Sequence, residues 1–229
     1  MRYNPKIDEG RTALSQRVAT DLIEVDQETP AQDVLARAGA AIRRGAVVAI
    51  PTDALYTLVA DPFNLDAVRR VFLAKGRESA RALPLLVSGT LMAEELAGEL
   101  NTRFYLLARK FWPGPLTMIV PASAGVPLKV TGNTGRLAMR QSKSAIASGL
   151  LEWLGQPLIS TSANLSGMPT CRAGIDVFGT MDGRIDLVLD GGPCSGVGST
   201  TIDITEPYWR VIKEGVIGEK EIGECLKGI

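Results

Sequence analysis

The segment from Pro157 to Gly167 limits how this chain can fold more than any other. It reads Pro-Leu-Ile-Ser-Thr-Ser-Ala-Asn-Leu-Ser-Gly, so a short apolar run leads straight into four hydroxyl side chains and one amide. Burying these groups without partners would cost about 1–3 kcal/mol each. We therefore expect them at a strand end beside a cavity, where they suit phosphate, carboxylate or ribose oxygens. The alternative is an ordinary Ser/Thr/Asn turn between a strand and a helix.

The charge balance and the missing histidine exclude several kinds of protein. The 229 residues include 25 basic and 25 acidic side chains, a formal net charge of +0, which disfavours a dedicated nucleic-acid binder. The chain contains no histidine. Ser-His and Cys-His nucleophiles are therefore excluded, and any proton transfer must use carboxylates, lysine, water or the substrate.

The cysteines and the start of the chain indicate a cytoplasmic location. The odd number and wide spacing of Cys171, Cys194 and Cys225 argue against a metal site, so we expect free thiols in a reducing compartment. The chain begins without an apolar signal core and has no apolar run long enough to span a bilayer. We expect no contact with a membrane.

Strand patterns first alternate with helix patterns and later cluster, which predicts a mixed α/β sheet, partly parallel, with helices packed on it. Residues 1–28 are polar and predict an N-terminal extension, and 29–229 form one domain. Thr29 is expected to cap a helix whose apolar stripe ends near Ile42. Further helices are predicted at 65–75, 90–99, 102–111, 143–154, 173–181 and 218–227. Strands are predicted at 46–50, 83–87, 116–120, 136–140, 157–160, 185–189, 200–204 and 208–213.

Two more segments carry polar or charged side chains that could bind a ligand, one directly after an apolar run and one before the next. Residues 51–56, Pro-Thr-Asp-Ala-Leu-Tyr, come directly after a predicted strand, where open α/β sheets bind ligands. A proline turn with an aspartate cap is the alternative. A group of cations then precedes the strand at 83–87, and it suits a polyphosphate or, alternatively, a solvated helix end. These cations are Arg69, Arg70, Lys75, Arg77 and Arg81.

Three later features complete the set. Residues 113–117, Pro-Gly-Pro-Leu-Thr, form a rigid turn that presents the Thr117 hydroxyl, and Arg140 closes an apolar run. Residues 190–201 contain four glycines that allow a ligand to approach the backbone closely, or else form a flexible loop. Their spacing matches neither a Walker loop nor a G-x-G-x-x-G fingerprint.

In this order the segments resemble the YrdC/YciO-like family, whose best-known members are threonylcarbamoyl-AMP synthases, and the resemblance covers residues 34–218. The matching stretches are Pro51-Thr52-Asp53 with Tyr56, Lys75-Gly76-Arg77, Pro113 to Thr117, Arg140, Ser160 to Gly167, Gly191-Gly192 through Ser199-Thr200, and Val211 to Ile217. The chain resembles the short, single-domain type, without the additional carboxy-terminal domain of the longer synthases.

The resemblance implies a twisted α/β fold of the YrdC type around a large, positively lined cavity. It implies a nucleotidyltransferase that uses ATP, L-threonine and bicarbonate. N-carboxythreonine would attack the α-phosphorus of ATP, pyrophosphate would leave, and L-threonylcarbamoyladenylate would pass to partner proteins that make threonylcarbamoyladenosine in tRNA. Lysine, arginine, hydroxyl groups and Mg²⁺ can supply the positioning and charge neutralisation that phosphoryl chemistry needs.

The resemblance also assigns site residues. The catalytic cations would be Lys75, Arg77 and Arg140. The ATP phosphates and ribose would be held by Lys75, Arg77, Thr117, Ser162, Ser166 and Lys213. The threonine and its carbamate would be surrounded by Thr52, Tyr56, Arg140, Ser160 and Ser199. Asn164 is expected to shape its own loop rather than to touch a ligand.

Several positions depart from the family pattern, mainly on the amino-acid side. Thr57 replaces a glycine that usually follows the tyrosine, and Ser88 stands where many synthases have a histidine. Gln141-Ser142 follows Arg140 in place of a proline-containing turn. Lys213 stands where arginine is common, and the segment from 75 to 84 is longer than usual.

Two alternative functions remain at this point. A paralogue of the same fold could use another acyl or carbamoyl donor with ATP. A non-enzymatic RNA-binding module could use the cavity and the cations of 69–81 to contact double-stranded RNA or tRNA. The neutral net charge argues against the second alternative, because phosphate contacts dominate RNA affinity.

Overall fold

A computed structural model describes residues 19–77 and 81–228, and its strands divide into two mixed sheets. The strands are β1 (Asp21–Glu24), β2 (Val48–Ile50), β3 (Thr57–Val59), β4 (Leu85–Leu86), β5 (Leu116–Pro121), β6 (Arg136–Arg140), β7 (Leu158–Ile159), β8 (Thr161–Ser162), β9 (Leu187–Asp190), β10 (Thr200–Asp203) and β11 (Arg210–Lys213). The helices are α1 (Gln32–Arg43), α2 (Leu65–Lys75), α3 (Thr90–Leu96), α4 (Thr102–Phe111), α5 (Leu128–Thr131), α6 (Ala145–Leu154), α7 (Gly174–Met181) and α8 (Glu219–Cys225).

The two sheets confirm the predicted mixed α/β class. The prediction of a single sheet is wrong, because the strands form two sheets. One sheet has the strand order β1-β9-β2-β3-β8 and the other β11-β10-β5-β6-β4-β7. Each combines parallel pairs, such as β2 with β9 and β5 with β10, with antiparallel pairs, such as β2 with β3 and β5 with β6. Buried side chains of α1 and α6 pack with those of β2 in one apolar cluster. Val47 and Ala49 belong to the other apolar cluster, so both faces of this segment are buried, which accounts for the continuous apolar run at 46–50.

The chain crosses from one sheet to the other at Ser160. Before it, β7 pairs with β4 in the six-stranded sheet, and after it, β8 pairs with β3 in the five-stranded sheet. The Ser160 amide donates to the carbonyl of Pro84 at 2.7 Å, and the Ile159 amide donates to that of Ala60 at 2.9 Å. The predicted strand at 157–160 is therefore the shorter β7, a second short strand, β8, follows it, and the polar residues of this segment lie at the junction of the sheets.

Several predicted elements are confirmed with their bounds. Helices α2 and α4 and strand β6 begin and end where the sequence pattern places them. Asn101 caps α4, since its side chain accepts a hydrogen bond from the amide of Phe104 at 3.2 Å.

The predicted cap of the first helix is wrong. Helix α1 begins at Gln32, and Ala31 is its N-cap residue without a side-chain hydrogen bond. Thr29 lies in a preceding turn, where its amide donates to the carboxylate of Asp26 at 2.7 Å. The carboxylate thus closes the turn at 26–29 before the chain enters the helix.

The predicted extension at 1–28 falls partly outside the described residues, which start at 19. Within the described part, β1 joins the edge of the five-stranded sheet parallel to β9. The boundary at residue 28 stays a prediction. No helix in 19–77 or 81–228 is both long enough and apolar enough to cross a membrane.

The returning segment after β11 packs directly on the glycine-rich loop. The Thr200 hydroxyl donates to the Ile217 carbonyl at 2.7 Å, and the Val216 amide donates to the Gly198 carbonyl at 3.2 Å. Gly215 lies so close that a Cβ atom there would be 2.3 Å from the Gly198 oxygen. The family motif at 211–217 therefore includes the residues that hold the glycine-rich loop in place.

We predict that Gly215→Ala lowers the free energy of unfolding by about 1–3 kcal/mol, because the loop at 198–200 must move to admit the methyl group. Gly179→Ala is the control, since a Cβ atom at this helical position meets no atom of the described residues within 4 Å. It should stabilise by about 0.5–1 kcal/mol. Urea unfolding of both variants checks this, and equal effects would contradict the close approach.

Candidate functional site

A pocket of about 500 Å³ opens between the two sheets. Its lining includes Thr57 and Ser162 from one sheet and Thr117 and Arg140 from the other. Five cations line it, namely Lys75, Arg77, Arg81, Arg140 and Lys213. Within the described part of the chain, no carboxylate side chain does. The pocket therefore suits a ligand with several negative charges.

Every site residue predicted from the sequence lines this one pocket. These residues are Thr52, Tyr56, Lys75, Arg77, Thr117, Arg140, Ser160, Ser162, Ser166, Ser199 and Lys213. The structure thus brings the separate motifs together, although the individual roles stay predictions. Arg81 of the predicted cation group and Thr161 of the predicted hydroxyl segment line the pocket as well, and so does Thr201, to which sequence reasoning assigned no role.

Lys75 is the last residue of α2, and the helix end directs it into the pocket wall. Gly76 follows with φ 58°, and the Arg77 amide donates to the Phe72 carbonyl at 3.0 Å, so a left-handed glycine terminates the helix. The Lys75 side chain is buried. Its ammonium donates to the carbonyls of Ser162 and Asn164 and to the Asn164 amide oxygen. Burial, with a smaller contribution from Arg77, lowers the pKa of Lys75 to about 8.

Asn164 organises the loop that follows β8, as the sequence predicts. Its amide oxygen accepts from the Ser162 hydroxyl at 2.6 Å as well as from Lys75, and its Nδ2 donates to the Met168 carbonyl at 2.6 Å. The Ser166 amide donates to the Lys75 carbonyl at 2.9 Å. The loop and the end of α2 therefore form one hydrogen-bonded unit beside the pocket.

The Arg77 guanidinium is only partly hydrogen-bonded among the described residues. Its Nη2 donates to the Ala82 carbonyl at 3.2 Å. Its Nε is buried and has no acceptor among the described residues. An unsatisfied buried donor costs free energy, and an anionic oxygen in the pocket would supply the missing acceptor.

Arg140 is held on the opposite side by Asp53. The Arg140 Nη1 lies 3.1 and 3.2 Å from the two carboxylate oxygens of Asp53. The same carboxylate accepts from the Ser142 hydroxyl and from the Lys143 amide. Burial lowers the pKa of Arg140 and the Asp53 charge opposes that shift. Asp53 was matched as a motif residue without a role, and its contacts show that it fixes the arginine.

The hydroxyls of Thr52 and Tyr56 are engaged within the protein. Thr52 Oγ1 donates to the Leu55 carbonyl at 2.7 Å. The Tyr56 hydroxyl lies 2.7 Å from the Gly192 carbonyl and 3.1 Å from the Asp190 carboxylate. Burial, then the charge of Asp190, raises the pKa of Tyr56. Both residues line the pocket while their hydroxyls hold neighbouring loops.

Paired hydroxyls join other parts of the lining. Thr117 Oγ1 and Ser199 Oγ are 2.9 Å apart, at the adjoining ends of β5 and the glycine-rich loop. Thr57 Oγ1 and Ser160 Oγ are 3.0 Å apart, at the crossover between the sheets. Either pair can offer oxygen atoms to a ligand.

The departures from the family pattern separate into two groups. Thr57 is buried and lines the pocket. Ser88 is exposed and Gln141 donates to its carbonyl at 2.8 Å, so the two contact each other outside the pocket lining. On the predicted amino-acid side, Thr57 contacts Ser160, and Ser142 donates to the Asp53 carboxylate that holds Arg140.

The described residues provide no protein-only metal site. In ranges 19–77 and 81–228, no three His, Cys, Asp or Glu side chains are grouped to bind an ion. Cys171, Cys194 and Cys225 are free thiols, as the sequence predicts.

The comparison with protein families decides which family these motifs represent. The model Sua5_yciO_yrdC, described as "Telomere recombination", matches residues 40–215. The chain belongs to the Sua5/YciO/YrdC family. This confirms the family indicated by the sequence motifs.

The chain is similar in sequence and in structure to several members of the Sua5/YciO/YrdC family. Threonylcarbamoyl-AMP synthase of Pyrococcus abyssi is 38% identical over 186 residues, which is 81% of this chain and 55% of that protein. Sua5 of P. abyssi complexed with L-threonine superposes with a TM-score of 0.88 at 34% identity, covering 92% of this chain and 62% of that one. E. coli YciO superposes with a TM-score of 0.82 at 25% identity, and the superposition covers 89% of this chain and 99% of YciO. The chain thus spans just over half of the relative from P. abyssi.

We predict that anion binding by this family member weakens as the pH rises through the pKa of Lys75, about 8. Below that pH the ammonium is charged, and above it the neutral amine attracts no anion. Pyrophosphate affinity should fall about tenfold between about pH 7 and 9 in the wild type. Calorimetric titration measures this. Lys75→Met should bind more weakly and show a flatter profile, and identical profiles would contradict the role of Lys75.

We predict that Asp53→Asn lowers the free energy of unfolding by about 3–5 kcal/mol, because it leaves the buried Arg140 charge without a counter-ion. Asp21→Asn is the control, since Asp21 pairs with Arg37 on the surface, where both side chains are more than half exposed. It should cost less than about 1 kcal/mol. Urea unfolding measures both. Similar losses would show that Asp53 does not balance a buried charge.

Proposed function

We propose that this protein makes L-threonylcarbamoyladenylate from ATP, L-threonine and bicarbonate and releases pyrophosphate. The observation that carries the proposal is the convergence of Lys75, Arg77 and Arg140 with two hydroxyl-bearing loops on one pocket. The name of the P. abyssi relative, threonylcarbamoyl-AMP synthase, supports the same reaction.

The cations of the pocket fit the nucleotide part of this reaction. Lys75 supplies a buried positive charge, and the Arg77 Nε supplies a donor that lacks a protein acceptor among the described residues. Both can bind the ATP phosphates and stabilise the charge that develops on the leaving pyrophosphate. Thr117, Ser166 and Lys213 line the same pocket and complete the proposed phosphate and ribose contacts. Ser162 directs its proton to Asn164, so it is suited to accept from a ribose hydroxyl.

The chemistry is consistent with a chain that has no histidine. The nucleophile is the carboxylate of N-carboxythreonine, and its attack on the α-phosphorus needs no strong protein base. Positioning and charge neutralisation can account for most of the rate. The catalytic contribution of this protein is therefore proposed to be electrostatic.

Mg²⁺ is proposed to accompany ATP rather than to occupy a site built by the protein. The described lining offers hydroxyls but no carboxylate side chain, and Mg²⁺ with nucleotides is commonly held by phosphate oxygens and water. Bound in that way, the ion would neutralise phosphate charge. Hydroxyls of the lining, such as Thr117 and Ser199, are the protein groups that could contact its water ligands.

The amino-acid part of the site is proposed to lie around Arg140. Asp53 holds its guanidinium in place. A guanidinium can form a bidentate pair with the carboxylate of an amino acid. Ser160 and Ser199 provide hydroxyl oxygens nearby, and Thr52 and the Tyr56 ring form part of the wall. The complex of P. abyssi Sua5 with L-threonine supports threonine as the amino acid.

The later steps are proposals as well. The adenylate would pass to partner proteins that modify tRNA in the cytoplasm, and the enzyme itself could contact tRNA or double-stranded RNA. The net charge of +0 gives no general affinity for RNA, so such contacts would be local.

A YciO-like paralogue with another acyl or carbamoyl donor is the second candidate. Thr57 favours it, because a buried β-branched side chain narrows the amino-acid side of the pocket.

The test is pyrophosphate release from ATP with each substrate omitted in turn. We predict release only when both L-threonine and bicarbonate are present with Mg²⁺. Release with carbamoyl phosphate or another amino acid, and not with threonine, would favour the second candidate. Lack of release with every donor, combined with salt-sensitive tRNA binding, would favour the RNA-binding module.

Lys75→Met should lower kcat/KM for ATP by about 10²-fold or more, as removal of a preorganised charge does elsewhere. Lys129→Met removes a lysine from the exposed surface of α5 and should leave the rate unchanged. Equal rates for both variants would contradict the proposed role of the pocket.

A further inference from the structure

Thr57 occupies the point where the two sheets and the pocket meet. It begins β3 and pairs with Ser162 of β8, two residues beyond the crossover at Ser160. Its side chain is buried and lines the pocket. Its hydroxyl donates to the Thr161 carbonyl at 2.9 Å and lies 3.0 Å from the Ser160 hydroxyl.

These two contacts determine where the protons lie. A carbonyl oxygen can only accept, and a threonine hydroxyl has one proton. When Thr57 gives that proton to Thr161, its oxygen can only accept from Ser160. The Ser160 proton therefore points to Thr57, and the remaining lone pair of Ser160 is available to the pocket. Ser160 is thus fixed as a hydrogen-bond acceptor.

A hydrogen-bond acceptor gives this pocket a group that can bind the ammonium of an amino acid. The charged side chains that line it are all cations in the described part of the chain, and they recognise anionic groups. A zwitterionic amino acid presents a carboxylate and an ammonium, and the ammonium needs an oxygen that accepts. A serine hydroxyl with a free proton can accept from the ammonium or donate to a carbonyl, whereas Ser160 with its proton held by Thr57 can only accept.

We propose that Thr57 is a positioning residue that determines specificity: by holding the Ser160 proton, it makes the pocket select ligands with an N–H donor at that point. This inference rests on the proposed function in taking an amino acid as the ligand. A ligand with a carbonyl in place of the amine would meet the Ser160 lone pair and be rejected.

Two ligands that differ only at this position test the inference. L-2-aminobutyrate carries the ammonium, and 2-oxobutyrate carries a carbonyl in its place. Calorimetry with the full chain gives the ratio of their affinities. Wild type and Thr57→Ser, which keeps the hydroxyl, should both favour the amine strongly.

Thr57→Val removes the hydroxyl at nearly the same volume and frees the Ser160 proton for the pocket. The ratio in favour of the amine should fall about tenfold, with 2-oxobutyrate gaining affinity, as expected for one hydrogen bond to a ligand. Ser160→Ala is a second variant, should Thr57→Val not fold. It should weaken L-2-aminobutyrate and strengthen 2-oxobutyrate, because the lone pair that repels the carbonyl is removed.

An unchanged ratio in Thr57→Val would overturn the inference, since a steric effect alters both ligands alike. In Ser160→Ala, equal losses for both ligands would overturn it as well, as would failure of any amine ligand to bind the wild type. The proposed function fails separately. If the ratio shifts as expected while threonine and bicarbonate support no pyrophosphate release, the amine site stands and the reaction is a different one.

Discussion

The buried ammonium of Lys75 is the interaction on which the pocket depends. A buried charge is costly without acceptors, and Lys75 finds three oxygen atoms, all on Ser162 and Asn164. These bonds join the end of α2 to the loop after β8. They also bring the cations that follow the helix next to the hydroxyl groups of the crossover. Since none of the three acceptors carries a full negative charge, the positive charge remains available to a ligand.

The opposite wall is organised by a second buried cation. Asp53 connects the segment after β2 with Arg140 at the end of β6 and with Ser142 beyond it. One element of each sheet is thus tied to the other across the site. Together with the crossover at Ser160, this contact makes the pocket a property of the junction between sheets rather than of either sheet alone. The proposed nucleotide and amino-acid parts lie on these two walls.

Much of this arrangement could be predicted from the sequence, because local signals were strong. The bounds of α2 and α4 were predicted, because a helix pattern and a cap such as Asn101 depend on neighbouring residues. The site residues were found because several short motifs in one order resemble a family. Strand β3 was missed, since Thr57–Val59 is short and is defined by pairing with β2 and β8. The role of Asp53 and the contact of Ser88 with Gln141 were likewise missed, because tertiary packing alone creates them.

The most direct test of this account is a crystal structure with a non-hydrolysable ATP analogue and L-threonine. The account predicts the phosphates against Lys75 and Arg77, and the amino acid between Arg140 and Ser160 in the same pocket. Ligands bound on separate surfaces, or a nucleotide that contacts neither Lys75 nor Arg77, would contradict it.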